Sequence, residues 1–282
     1  IRKINSKLMA ARDKRVRPGL DDKLLCSWNA MMIRGLADAS RIFDEAQLQV
    51  DAEKAARFIL QELKDEEGRL WHTWKNGKRS VPGFLEDYAF MIDALIGLYE
   101  ASYSDHWLLE ARDLMYTVLG DFERSASGLF YFTSSQHGVW VAKQLETSDN
   151  VQPASNSMMA RNLHTLGIYL GKPEWMQQTN SMLRTVRDEL INYGPGYSNW
   201  GLLVLEQEYD FRELVISGIG AIKAAKQIRK KYRPNLLLAA SETTTLLPLF
   251  EGRNPGEKPK FYLCKGMMCE SPVNSIEELN LN

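Results

Sequence analysis

The chain of 282 residues carries 35 Lys+Arg against 36 Asp+Glu, a formal net charge of -1, with 44% hydrophobic and 25% charged residues. That balance describes a globular protein with no global field to draw nucleic acid or a membrane surface, and no apolar run approaches the length that spans a bilayer. Three cysteines are too few for a disulfide framework and favour a reducing, cytoplasmic setting.

The start, IRKINSKLMAARDKR, reads as a charged helix without an apolar leader. A first residue of Ile rather than Met leads us to expect a piece of a longer protein. An apolar helix follows at SWNAMMIRGLADAS (27–40), then a charged one at DAEKAARFILQELKDEE (51–67). The alternating stretch GRLWHTWKNGK (68–78), with Asn-Gly near its end, reads as a β-hairpin. The pattern then returns: apolar DYAFMIDALIGLYEAS (87–102), charged DHWLLEARDLMYTVLGDFE (105–123), and SGLFYFTSSQHGVWV (127–141) as a second hairpin with a His-Gly turn. A third pair is SNSMMARNLHTLGIYLG (155–171) with PEWMQQTNSMLRTVRDEL (173–190), and a weaker fourth apolar copy begins at SNWGLLVLEQEY (198–209).

The apolar copies align without gaps: Asn29 with Tyr88 and Asn156, Met32 with Met91 and Met159, Leu36 with Leu95 and Leu163. Apolar residues at three- and four-residue steps give each a broad buried face, whereas the charged helices carry narrow stripes. The former should be inner and the latter outer, and neither can bury its face alone. Residues 1–211 therefore read as a partial α/α toroid of helical hairpins, with the remaining hairpins expected ahead of Ile1. From Arg212 the string RELVISGIGAIKAAKQIRKKYRPNLLLAAS reads strand, helix, strand, so 212–282 form a small α/β tail packed on the toroid, ending in a strand at KFYLCKG. Cys264 and Cys269, five apart, read as ordinary thiols, with a disulfide or a metal clip as the alternative. VISGIG supplies only GxG, weak as a dinucleotide site, and HExxH, GxSxG and GxxxxGK[ST] do not occur.

Four segments taken together, RPGLDDKLLCSWN, LEDYAF, PASNSMMA and FYLCKGMMCESPV, resemble the YyaL family, the family of spermatogenesis-associated protein 20. The resemblance implies an N-terminal thioredoxin-like domain joined to a toroid of the six-hairpin glycosidase class, of which this chain would be the C-terminal portion. It supplies no catalytic residues, and fold analogy locates a pocket without saying what happens in it.

In such a ring the loops entering the inner helices surround one end of the cavity, where helix N-termini present free N–H groups. The expected lining is Asp21, Asp22, Trp28, Asn29, Glu86, Asp87, Tyr88, Ser155 and Asn156, the mixture of carboxylates, amides and aromatics that a sugar needs. Glycoside cleavage would pair one of Asp21 or Asp22 with Glu86 or Asp87 across about 5–9.5 Å. The neighbours Glu86 and Asp87 should diverge, so that at most one faces inward. Asp22, Glu86 and Asp87 are the candidate catalytic groups. The plainer alternative makes Ser27, Asp87 and Ser155 helix N-caps. An epimerase-like mechanism would instead use histidines. His72 and His137 lie in the hairpins that could reach over the mouth, with His72 expected to bind substrate, while His106 and His164 read as structural. No cofactor or metal site is expected. The expected ligand is a small sugar, and the alternative function is a partner- or peptide-binding module serving a thioredoxin-like domain.

Overall fold

A computed structural model describes residues 1–138, 143–266 and 268–281. An exposed helix α1 (Arg2–Arg12) precedes a two-residue strand β1 (Leu24–Leu25), then α2 (Cys26–Phe43) and α3 (Ala46–Glu62). The hairpin β2 (Trp71–Lys75) and β3 (Lys78–Pro82) leads to α4 (Leu85–Ser102) and α5 (Asp105–Asp121). Next come α6 (Ser155–Tyr169), α7 (Pro173–Thr185), α8 (Arg187–Asn192) and α9 (Ser198–Glu208). The apolar helices α2, α4, α6 and α9 stand side by side in that order, while α3, α5 and α7 back onto α2, α4 and α6. The inner and outer assignment and the fourth copy are as the periodicity indicates, and the whole is a partial α/α toroid. Burial follows the ring: α4 and α6, flanked on both sides, are buried over most of their length, whereas α2 leaves Trp28 and Met32 63% and 62% exposed.

The first hairpin forms around Asn76 and Gly77, both at positive φ (51° and 77°), as a primed turn requires. β1 adds to it as a third strand, with Leu24 opposite Trp74. The second expected hairpin is corrected: its described residues carry only an isolated bridge from Arg124 to Phe130 and a short 3-10 turn at Ser135–His137. Residues 139–141 lie outside those described. The reason is local: both backbone groups of Phe130 are taken by the Asn156 side chain, at 2.8 and 2.9 Å, instead of by a partner strand.

The change from helices to sheet falls between Glu208 and Arg212. β4 (Arg212–Ser217), α10 (Ala221–Arg229) and β5 (Leu236–Ser241) make a parallel β-α-β unit, and β6 (Lys260–Lys265) and β7 (Met268–Cys269) extend it in the order β5-β4-β6-β7. The GxG at Gly218 and Gly220 serves packing: Gly218 has φ +120° and a Cβ there would sit 2.3 Å from the Lys258 carbonyl oxygen. The sheet is tied to the ring by Tyr169, whose hydroxyl donates to the Leu238 carbonyl (3.2 Å), and by Arg229, 3.7 Å from Glu100. Among the described residues no helix is long and apolar enough to cross a membrane.

Candidate functional site

Asp87 is the third residue of α4 and is fully buried. Its two oxygens accept the backbone N–H of Phe84 at 2.9 Å, closing the start of its own helix, and that of Ser27 at 3.0 Å, in the first turn of α2. They also meet Nδ1 of His72 on β2, at 2.9 and 3.1 Å. One buried carboxylate thus joins α2, α4 and the hairpin. With Nδ1 turned to Asp87, Nε2 of His72 faces away with no described partner, the arrangement by which a carboxylate fixes an imidazole's tautomer and leaves its other nitrogen for chemistry. The bond to Asp87, set against partial burial, raises the His72 pKa. Phe84 meets the ring edge-on at 5.1 Å.

Glu86 stands beside them: Oε2 accepts from Gln152 Nε2 at 2.7 Å and Oε1 lies 3.5 Å from Ser27 Oγ. Burial, and then the neighbouring Asp87, push its carboxyl above the usual range. One polar atom each from His72, Glu86 and Asp87 lies within 4.8 Å of the others. The expectation that Glu86 and Asp87 diverge is therefore corrected. The start of α4 meets β2 through Asp87 and the loop carrying Gln152 through Glu86, which leaves an oxygen of each carboxylate within 4.8 Å of a nitrogen of the same imidazole. The three groups could also face a cation, but both Asp87 oxygens already accept N–H bonds and Glu86 Oε2 accepts from Gln152. The set is better suited to moving protons.

The other expected residues separate from this cluster. Asp22 pairs with Lys75 at the far end of β2, and Asp21 is an exposed partner of Lys23 at 3.3 Å. Both lie on the exposed segment before β1. Tyr88 is core: its hydroxyl accepts from Leu70 N at 2.8 Å and burial raises its pKa. Asn156 is likewise fully buried, and besides Phe130 it donates to the Glu146 carbonyl at 2.9 Å. Asn29 donates to the Leu25 carbonyl at 2.8 Å, and Trp28 is the solvent-facing aromatic beside the cluster's first helix turn. The residues N-terminal to α2 and α6 are Leu25 and Ala154, so Ser27 and Ser155 are not caps. His137 is engaged at both nitrogens, accepting from Ser134 N (3.2 Å) and donating to the Pro82 carbonyl (3.0 Å), and stacks on Phe84. Burial lowers its pKa. His164 is a core residue whose pKa burial brings down to about 4.

Sequence reasoning missed Gln152 and Asp149. Asp149 does for α6 and α9 what Asp87 does for α2 and α4, accepting from Ala154 N, Ser157 Oγ and Asn199 N at 2.9, 2.9 and 2.8 Å. Its only signal is a Ser-Asp-Asn turn shortly ahead of a helix. At the opposite end of the inner helices lies a cavity of about 460 Å³. There Glu100 sits among Arg34, Arg41 and Arg229 at 3.4, 3.1 and 3.7 Å. Burial would raise the Glu100 carboxyl, but those guanidiniums, Arg229 first, outweigh it and bring its pKa to about 2.

No model of a known protein family matches the chain. Curated proteins do: human spermatogenesis-associated protein 20 is 29% identical over 294 residues, covering 97% of this chain and 37% of that protein. An uncharacterized Caenorhabditis elegans protein is 27% identical, covering 96% and 39%. The chain thus spans well under half the length of these relatives. Among solved structures, the GH76 α-mannanase BT2949 of Bacteroides thetaiotaomicron matches with TM-score 0.55 at 14% identity, covering 69% of this chain and 54% of that one. The unsaturated glucuronyl hydrolase of Bacillus sp. GL1 matches with TM-score 0.52 at 12% identity, covering 70% and 62%. At such identities the likeness is one of fold, and the fold is the six-hairpin glycosidase-like toroid. The chain is a homologue of spermatogenesis-associated protein 20, corresponding to its C-terminal portion.

Proposed function

We propose that the chain forms the acid–base side of a carbohydrate-processing pocket, acting by proton transfer of the isomerase or epimerase kind. The observation that carries this reading is the buried Asp87 holding Nδ1 of His72, with a Glu86 oxygen within 4.8 Å of the pair. His72 Nε2 is the group that would take or return a proton at a sugar carbon next to the carbonyl. Glu86, pushed toward its protonated form, would deliver a proton to the sugar oxygen. Asp87 is a positioning residue, and Trp28 offers an apolar face for stacking. Retaining or inverting hydrolysis is less well supported, because Asp87 is enclosed and Asp22 is committed to Lys75. The ligand in this reading is a small sugar and not a nucleic acid, in keeping with the net charge of -1. The location is cytoplasmic and the partner a thioredoxin-like domain of the longer protein. The likeness of fold to carbohydrate-active enzymes supports the sugar class.

The test is proton exchange. The protein is incubated in deuterium oxide with a panel of aldoses, ketoses and their phosphates, and deuterium at the carbon beside the carbonyl is followed by NMR. Incorporation that is lost in His72→Asn is expected. No incorporation into any sugar, with no thermal shift by any of them, overturns the reading. A second reading, docking of a peptide or protein partner, is favoured by the exposed Trp28 and Met32 on α2. It is the one that a negative panel would promote.

A further inference from the structure

A second chemical site lies in the terminal hairpin, remote from the helix starts. Cys264 on β6 is directly opposite Cys269 on β7, and their sulfurs are bonded, which corrects the expectation of two ordinary thiols. Cys264 is buried and Cys269 is exposed. Arg253, in the loop ahead of β6, places Nη2 3.5 Å from Cys264 Sγ and 3.1 Å from Cys269 Sγ. The guanidinium is itself anchored. Nη1 donates to the Leu249 carbonyl, and the group lies 5.4 Å from the centre of the Tyr262 ring.

A fixed cation against two sulfurs favours thiolate over thiol. It also disfavours the metal clip, since a bound cation would sit against a positive charge. The other charged groups nearby do not cancel it. Glu213, opposite Cys264 on β4, is pushed up by burial, with Arg253 drawing it part of the way back. Lys265 is committed to Asp210 at 2.7 Å, and Glu270, next to Cys269, is exposed.

We propose that Cys264–Cys269 is a thiol–disulfide exchange site that accepts two electrons from a dithiol reductant. A thiolate of the reductant attacks the exposed Cys269 Sγ, the Cys264–Cys269 bond breaks, and Cys264 departs as a thiolate held by Arg253. The reductant's second thiolate then attacks its own sulfur in the mixed disulfide and releases Cys269. The reductant leaves as a cyclic disulfide, and its two thiol protons are matched by two taken up at Cys264 and Cys269. Low thiolate pKa in the leaving group is what speeds such an exchange.

The experiment reduces the native chain with dithiothreitol and follows iodoacetamide alkylation of the peptide containing Cys269 by mass spectrometry, between about pH 5 and 9. Cys26, fully buried with its thiol pKa raised by that burial, reports folding by staying unmodified. Expected are reversible reduction under native conditions and alkylation about tenfold slower near neutral pH in Arg253→Gln, with Arg253→Lys retaining much of the rate. Equal rates in wild type and Arg253→Gln, with Cys26 still protected, overturn the proposal, as does a bridge that dithiothreitol leaves intact in the folded protein. Should Arg253→Gln expose Cys26, the wild-type pH profile decides. An apparent thiol pKa below the ordinary value of about 8.5 supports the site, and one at or above it does not.

Discussion

Asp87 and His72 are joined at 2.9 Å through Oδ2 and Nδ1, while the same carboxylate accepts the backbone N–H groups of Ser27 and Phe84. A single side chain therefore fixes the spacing of two inner helices and the pose of the one imidazole in the cluster. Asn at this position has the same shape but a single acceptor oxygen, so its NH2 would point at an N–H donor. Asp87→Asn is expected to lower stability by about 2–3 kcal/mol, measured by urea unfolding at neutral pH, because charge-assisted bonds are lost and a buried donor is orphaned. A change within experimental scatter would mean that the carboxylate does not join the helices.

The pH dependence follows from the same contact. His72 has its pKa raised by Asp87, so the protonated ring is favoured in the folded state. The stability this adds is complete below the unfolded value of about 6.5 and disappears as pH rises through the higher folded value. Glu86, also raised, acts in the same direction: the folded state loses stability as pH climbs from the ordinary carboxylate range through its elevated pKa. NMR titration of the imidazole should place His72 above its ordinary value in wild type and lower in Asp87→Asn. A plot of melting temperature against pH should decline less steeply from mildly acid to neutral pH in Glu86→Gln.

Much of the ring was legible because helix periodicity is a local property. Aligning Asn29, Tyr88 and Asn156 did locate three equivalent helix starts. What alignment could not reveal is which way each side chain turns. The buried neighbours Tyr88 and Asn156 look inward to Leu70 and Phe130, as clamps, and Asp22 is drawn away by Lys75. His72 was read as a substrate contact because it sits in a hairpin near the mouth. Its bond to Asp87 depends on a strand and a helix meeting in space, which no spacing within either segment encodes. The second hairpin failed for a related reason, since an alternating pattern cannot say that a distant amide will take the strand's hydrogen bonds.

The ion-pair knot around Glu100, at the far end of the inner helices, gives the opposite pH response. Glu100, with a pKa near 2, contributes stability above the unfolded carboxylate value of about 4.3, and that contribution is lost as pH falls toward the folded value. Glu100→Gln takes from Arg229 its described ion-pair partner, while Arg34 keeps Asp38 and Asp93 and Arg41 keeps Asp38. The expected cost is roughly 3 kcal/mol at neutral pH, from leaving the largely buried Arg229 guanidinium without a carboxylate. The variant should also lose part of the acid-induced fall in stability that wild type shows. If its acid profile superimposes on that of wild type, the knot is not held by Glu100.

Asn156 separates a pocket residue from a clamp. Its amide satisfies Phe130 N, Phe130 O and Glu146 O at 2.8, 2.9 and 2.9 Å, entirely out of contact with solvent. Asn156→Ala orphans all three and is expected to cost about 2–4 kcal/mol. Asn29→Ala, which loses one bond at the rim, should cost no more than about 1 kcal/mol. Paired urea titrations test the contrast. If Asn156→Ala unfolds at the wild-type midpoint, and its effect appears instead as weaker binding in the sugar panel, Asn156 belongs to the pocket and the assignment as a clamp is wrong.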